Sequence, residues 1–171
     1  MNQSYSRGKF EYFVVATIVA LVTLIALDRY TLIAKDARIL RLEIISHHFM
    51  IAAVNMRIEF LTSRITSPSL STQKALSIDG KLIFVSDQGW PVSVVTPVSD
   101  NFQPSDDDCY QLWQVLLQNP APISTGQFSI SKDKYRAFAY LNHCRYELVS
   151  GEAFFDYFPL SGRLLFSAIN R

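Results

Sequence analysis

The sequence predicts an α+β protein in which a long N-terminal helix, membrane-spanning in its first third, packs on a small antiparallel sheet. Three observations predict it. Phe10 to Leu27 is an apolar run whose only charge is Glu11, and its length as a helix, about 27 Å, matches a bilayer core. No glycine or proline interrupts Phe10 to Ile65, so nothing punctuates the helical pattern before Ser67-Pro68. From Gln127 onward, short aromatic and β-branched runs alternate with breaks too short for the crossovers that parallel strands need.

In chain order, residues 1–9 form a polar stub with Arg7 and Lys9. Positive charge ahead of the first apolar segment favours a cytoplasmic N-terminus and a downstream domain on the far side of the membrane. A cleaved signal peptide is the rival reading, but no small-x-small site follows Leu27. Residues 10–27 are the membrane segment and 28–66 extend the helix. Two apolar stripes run along this extension. Ile33, Ala37, Leu40, Ile44, His47, Ile51, Val54, Ile58, Leu61 and Ile65 recur at alternating spacings of four and three. Leu42, Ile45, Phe49, Ala52, Met56 and Phe60 fall near the opposite side. Two apolar faces call for two partners, the chain's own sheet domain and either a neighbouring subunit or a wider wrap by the same domain. The first stripe, from Ile51 to Ile65, is expected to pack on the sheet because of its strict spacing. The face of Leu42, Ile45, Phe49 and Met56, broader and interrupted by Arg38, is expected to meet the neighbour. On that assignment Ile58→Ala is a core truncation and Phe49→Ala weakens association.

Residues 67–171 form the sheet domain, entered through the Ser/Thr/Pro-rich stretch Thr66 to Ala75. Lys81 to Ser86 and Pro91 to Val95 flank Asp87-Gln88-Gly89-Trp90 as a hairpin. Asp106, Asp107 or Asp108 caps a short helix beginning near Tyr110, with Leu112, Trp113, Leu116 and Leu117 as its apolar face. Phe128 to Ile130, Lys134 to Leu141, Cys144 to Val149, Ala153 to Phe158 and Arg163 to Ile169 read as an antiparallel meander. The small side chains of Ala137 and Ala139 suggest that the long helix lies on the strand carrying them. In an exported domain, Cys109 and Cys144 most economically form a disulfide, the rival being two buried thiols.

Composition excludes some function classes. A net charge of +1 without a basic cluster argues against nucleic-acid binding. No glycine-rich phosphate loop, zinc spacing or nucleophile elbow occurs. His47 and His48 point about 100° apart on a helix and cannot share a metal, so one is expected in the core and one on the surface. His143-Cys144 places a base beside a thiol in sequence only. Three consecutive aspartates lack the alternation of a calcium loop. No catalytic residue, cofactor or metal site is therefore expected.

A basic leader ending in Gly8, an apolar segment with an early acid, a fifty-residue helix and a small domain with two late cysteines resemble a type IV pilin. The order of Ser86-Asp87-Gln88-Gly89-Trp90-Pro91, Cys109-Tyr110-Gln111-Leu112-Trp113, Cys144-Arg145-Tyr146 and Phe155-Asp156-Tyr157-Phe158-Pro159 is similar to the pilin-like proteins of the mannose-sensitive haemagglutinin (MSHA) pilus system. The family is cleaved after the glycine, begins with phenylalanine and has a glutamate five residues after the cut. Here Lys9 follows Gly8 and Glu11 would stand third, so retention of the N-terminus is expected, and Glu11 is a candidate acid at the membrane interface. The resemblance implies a non-catalytic accessory protein of pilus assembly in the bacterial inner membrane, its sheet domain periplasmic and its long helix packing on pilin or other assembly subunits, a homo-oligomer included. A single-pass periplasmic ligand-binding or signalling module is the alternative, disfavoured because nine residues cannot form a cytoplasmic output domain.

Overall fold

The computed structural model describes residues 3–66, 74–78, 80–95, 97–98, 102–126 and 133–169. Helix α1 covers Gln3–Thr66, and the chain divides into two compact units, Met1–Arg38 and Ile39–Arg171. In the first unit every side chain from Phe10 to Leu27 is exposed. The helix is long and apolar enough to cross a membrane, with a mean hydropathy of 2.3 over its most apolar window. The two threonine hydroxyls inside this stretch have local partners: Thr17 Oγ1 donates to Phe13 O at 2.8 Å and Thr23 Oγ1 to Val19 O at 2.7 Å. Such back-bonding satisfies both threonine donors within the helix itself.

The second unit holds two sheets. Strands β1 (Ala75–Ile78), β2 (Lys81–Val85) and β3 (Pro91–Ser93) form an antiparallel sheet in that order. The expected hairpin is β2–β3, whereas β1 is a strand the patterning did not indicate, starting at Ala75, the last residue of the stretch read as linker; residues 67–73 lie outside the described set. Strands β4 (Ile123–Thr125), β5 (Tyr135–Tyr140), β6 (His143–Leu148), β7 (Ala153–Phe158) and β8 (Arg163–Ala168) form the second sheet. The β5–β8 meander is antiparallel as expected, but β4 joins β5 in parallel. Three residues of pairing are enough to close that edge, and so short a segment carries no alternation to announce it. The strand expected at Phe128 to Ile130 lies outside the described residues.

Helix α2 (Asp106–Leu116) starts earlier than expected because Ser105, not an aspartate, is its cap. Ser105 Oγ accepts from Asp108 N at 3.1 Å while the Asp108 carboxylate accepts from Ser105 N at 2.9 Å, a reciprocal capping box. Asp108 is also the acceptor for Ser93 Oγ, which ties β3 to the helix start. Asp106 Oδ1 accepts from Ala139 N at 2.7 Å, serving the β5 edge one step beyond the last pairing with β4.

Both helices lie on one face of the five-stranded sheet. Tyr135 and Ala137 are covered by α2, whose Trp113 ring sits 5.8 Å from Tyr135. The alanine strand thus receives the short helix rather than the long one. The cause is covalent: Cys109 of α2 is bonded to Cys144 of β6, with Cα atoms 5.4 Å apart, which fixes α2 beside β5. Helix α1 instead lies over β6 and β7. Phe49 reaches Tyr146, Phe155 and Tyr157 at ring-centroid distances of 5.2, 5.6 and 5.1 Å. These tyrosines keep their polar ends paired, Tyr146 Oη donating to Cys109 O and Tyr157 Oη to Pro91 O, each at 2.9 Å. Burial raises the pKa of both phenols, so each remains a neutral donor.

Two glycines permit the remaining close approaches. Gly89, at φ +83°, carries the β2–β3 turn against Phe60, where a Cβ would lie 2.7 Å from the ring. Gly162, at φ +68°, leaves room for the Trp90 indole, 2.0 Å from where its Cβ would stand. Trp90 is thereby held between the β7–β8 turn and Arg57 of α1, whose guanidinium lies 4.5 Å from the ring centroid.

Candidate partner-binding face

The two stripes of α1 exchange the roles expected of them. Leu42 and Phe49 are 0% exposed and Met56 8%, Ile45 is half-buried, and all four pack into the aromatic core. The face assigned to a neighbour is therefore the intramolecular one. On the other side, Leu40, Ile44, Ile51, Ile58 and Leu61 stand exposed, Ile51 by 58% and Ile58 by 57%. The physical reason is shape. The sheet offers a hollow ringed by Tyr146, Phe155 and Tyr157, which a planar Phe49 flanked by small Ala52 and Ala53 fills, and which a row of β-branched isoleucines would fill less densely.

Between Leu40 and Leu61 this exposed stripe carries one polar residue, His47. His47 and His48 are both on the exposed side, so neither is the core histidine that was expected. One flank of the stripe is fixed by Arg57, whose Nε donates to Gln88 O at 3.0 Å. The other flank opens into a cleft of about 440 Å³ lined by His48, Ile51 and Asn55 on α1 and by Leu116 to Asn119 beyond α2. Glu11 lies on α1 in the first unit and is exposed.

A second cluster sits on the outer face of the five-stranded sheet. Arg145 and Asp156 are register partners, and the guanidinium pairs with both carboxylate oxygens, Nε to Oδ1 at 2.7 Å and Nη2 to Oδ2 at 2.8 Å. Phe154 and Tyr140 flank the Arg145 guanidinium. His143 is 7% exposed, with Nε2 3.5 Å from Asp156 Oδ1 and its ring 4.7 Å from Phe158. Sequence reasoning missed this group, although it was legible: the Ser150-Gly151-Glu152 turn and strand alternation together place Arg145 opposite Asp156 on one face. The sulfur next in sequence to His143 is committed to the disulfide, so Cys144 has no thiolate to offer a base.

Burial lowers the His143 pKa below its ordinary value, with Arg145 and Arg163 acting in the same direction and Asp156 against them. A base harder to protonate in the folded state contributes stability that is complete above the unfolded value, about 6.5, and is lost as the pH falls through it toward the folded value. The melting midpoint is therefore expected to drop as the pH falls below about 6.5. His143→Phe, which keeps the ring against Phe158, should flatten that drop. An unchanged pH profile in the variant would show that His143 does not carry it.

The three consecutive aspartates are spread over separate tasks, Asp106 on the β5 edge and Asp108 in the cap, with Asp107 exposed. Among the described residues no group of three His, Cys, Asp or Glu side chains is placed to hold a metal ion. Comparison with family models, with curated proteins and with solved structures gives no match for this chain.

Proposed function

We propose that this chain is a non-catalytic, membrane-anchored pilin-like accessory protein that takes part in assembling a type IV pilus of the MSHA type by packing its long helix against neighbouring helices. The observation that carries the reading is the exposed apolar stripe from Leu40 to Leu61 on a helix whose opposite face is already filled by its own sheet. An isolated soluble domain rarely leaves so continuous an apolar face in water, and such faces mark sites of association. The Cys109–Cys144 bond supports an exported location for the sheet domain, because disulfides persist in oxidising compartments. That location, with the polar basic stub of residues 1–9 on the cytoplasmic side, gives a single-pass inner-membrane protein with a periplasmic C-terminal domain.

Two measurements test it. An alkaline phosphatase fused after Arg171 should be active, and an expressed but inactive fusion would exclude the orientation. In the native cell, Ile44→Glu/Ile51→Glu should leave the domain folded and reduce surface pili, since a desolvated helix contact does not tolerate two carboxylates. Wild-type pilus numbers in that double variant would remove the assembly role of the stripe.

A further inference from the structure

The exposed stripe has the grammar of a specific partner. Its alternating spacings of four and three are a heptad repeat, with Ile44, Ile51 and Ile58 at the a positions. Leu40, Val54 and Leu61 occupy d positions, Val54 half-buried against the chain's own core, and His47 is the one polar d residue. Isoleucine at a with leucine at d, met here at both ends by Leu40 and Leu61, is the pattern that favours two parallel strands over three or four. The sheet-covered residues Leu42, Phe49 and Met56 fall at f, the position farthest from the seam, so each chain's domain sits on the outside of such a pair. We propose that the stripe docks a second copy of this chain, the two α1 helices forming a parallel, in-register, two-stranded coiled coil from Leu40 to Leu61. The proposal rests on the reading of the stripe as a partner face and names its occupant.

The residues flanking the seam fit the same partner. In a parallel pair each g residue faces the e residue five positions on in the other chain. Glu43 at g then faces His48 at e, whose ring N–H can donate to the carboxylate, and just ahead of the paired span the sequence sets Asp36 at g against Arg41 at e. No like charges are brought together at these positions. Two copies inserted in the same orientation by the same apolar N-terminal segment favour a parallel over an antiparallel pair. His47 fixes the register: any shift by a heptad sets the imidazole against Leu40 or Val54, where it is desolvated without a matching polar partner.

The test uses the full chain in its membrane. One cysteine is added at a time, at Ile51, at Ile58, or at the exposed off-seam position Glu59, and mild oxidation is followed by non-reducing electrophoresis. The parent chain, whose two cysteines are already bonded to each other, is the baseline. Ile51→Cys and Ile58→Cys should give covalent dimers at least about fivefold above Glu59→Cys, because only seam residues face their own counterparts in a parallel pair. Equal dimer yields at all three positions, or none at any, would overturn the pairing. So would a mixture of Ile44→Cys and Ile58→Cys chains that cross-links better than Ile51→Cys does with itself, which is the signature of an antiparallel pair. Seam cysteines that bond to a different protein would overturn the occupant. If Ile44→Glu/Ile51→Glu loses pili while no homodimer is trapped, the assembly role stands and this inference alone fails.

Discussion

Phe49→Ala is expected to lower the stability of the second unit by about 3 to 5 kcal/mol, the range for truncating a buried phenylalanine where the surroundings cannot collapse. Collapse is prevented because the ring is met from three sides by Tyr146, Phe155 and Tyr157. Tyr146 and Tyr157 are further held by their hydrogen bonds to Cys109 O and Pro91 O. Those rings cannot swing into the cavity without giving up a buried donor's partner, a second cost of about 1 to 3 kcal/mol. Ile58→Ala, at a side chain 57% exposed in the single chain, should stay within about 0.5 kcal/mol of the parent at dilutions where the chain is monomeric. Urea midpoints of the two purified variants in detergent decide the matter. If Ile58→Ala loses as much as Phe49→Ala, the assignment of the helix faces is wrong.

Opening the disulfide is expected to have a comparable effect. Cys109 and Cys144 are 35 residues apart, and releasing a loop of that length returns about 4 kcal/mol of chain entropy to the unfolded state. Cys109→Ala/Cys144→Ala should therefore melt well below the parent, and dithiothreitol should lower the parent's midpoint while leaving the variant's unchanged. The bond holds α2 over β5, and with it Trp113, whose Nε1 donates to Ala121 O at 3.0 Å and whose ring stacks on Tyr146 at 5.4 Å. Tryptophan fluorescence should thus report the loss of α2 packing. Labelling of both cysteines by maleimide in unreduced, denatured protein would show that the bond does not form.

Much of this architecture is legible along the chain because its causes are local. The unbroken stretch from Phe10 to Ile65, the turn residues at Ser150 to Glu152 and Pro159 to Gly162, and the alternation in KYRAFAYL act over a few residues, so helix α1 and strands β5 to β8 stand close to where patterning puts them. The helix start at Ser105 was within reach through the Ser-x-x-Asp spacing, but three aspartates in a row made a more conspicuous signal than the serine before them. Strand β4 left no readable trace, since three residues paired in parallel need no periodicity of their own.

By itself the sequence determined that α1 carries two apolar faces, that a meander follows, and that two cysteines are available to staple it. Only the tertiary structure decided which face is buried, because both are apolar and helical period cannot rank them. Phe49 goes inward because residues about a hundred positions away assemble an aromatic hollow of its shape, and Ala137 accepts α2 because a bond from Cys109 to Cys144 places that helix there first. Burial is a property of the surface a face meets. The isoleucines of the first stripe are regular enough for a core, and they are left outside because the core was already filled by a better fit.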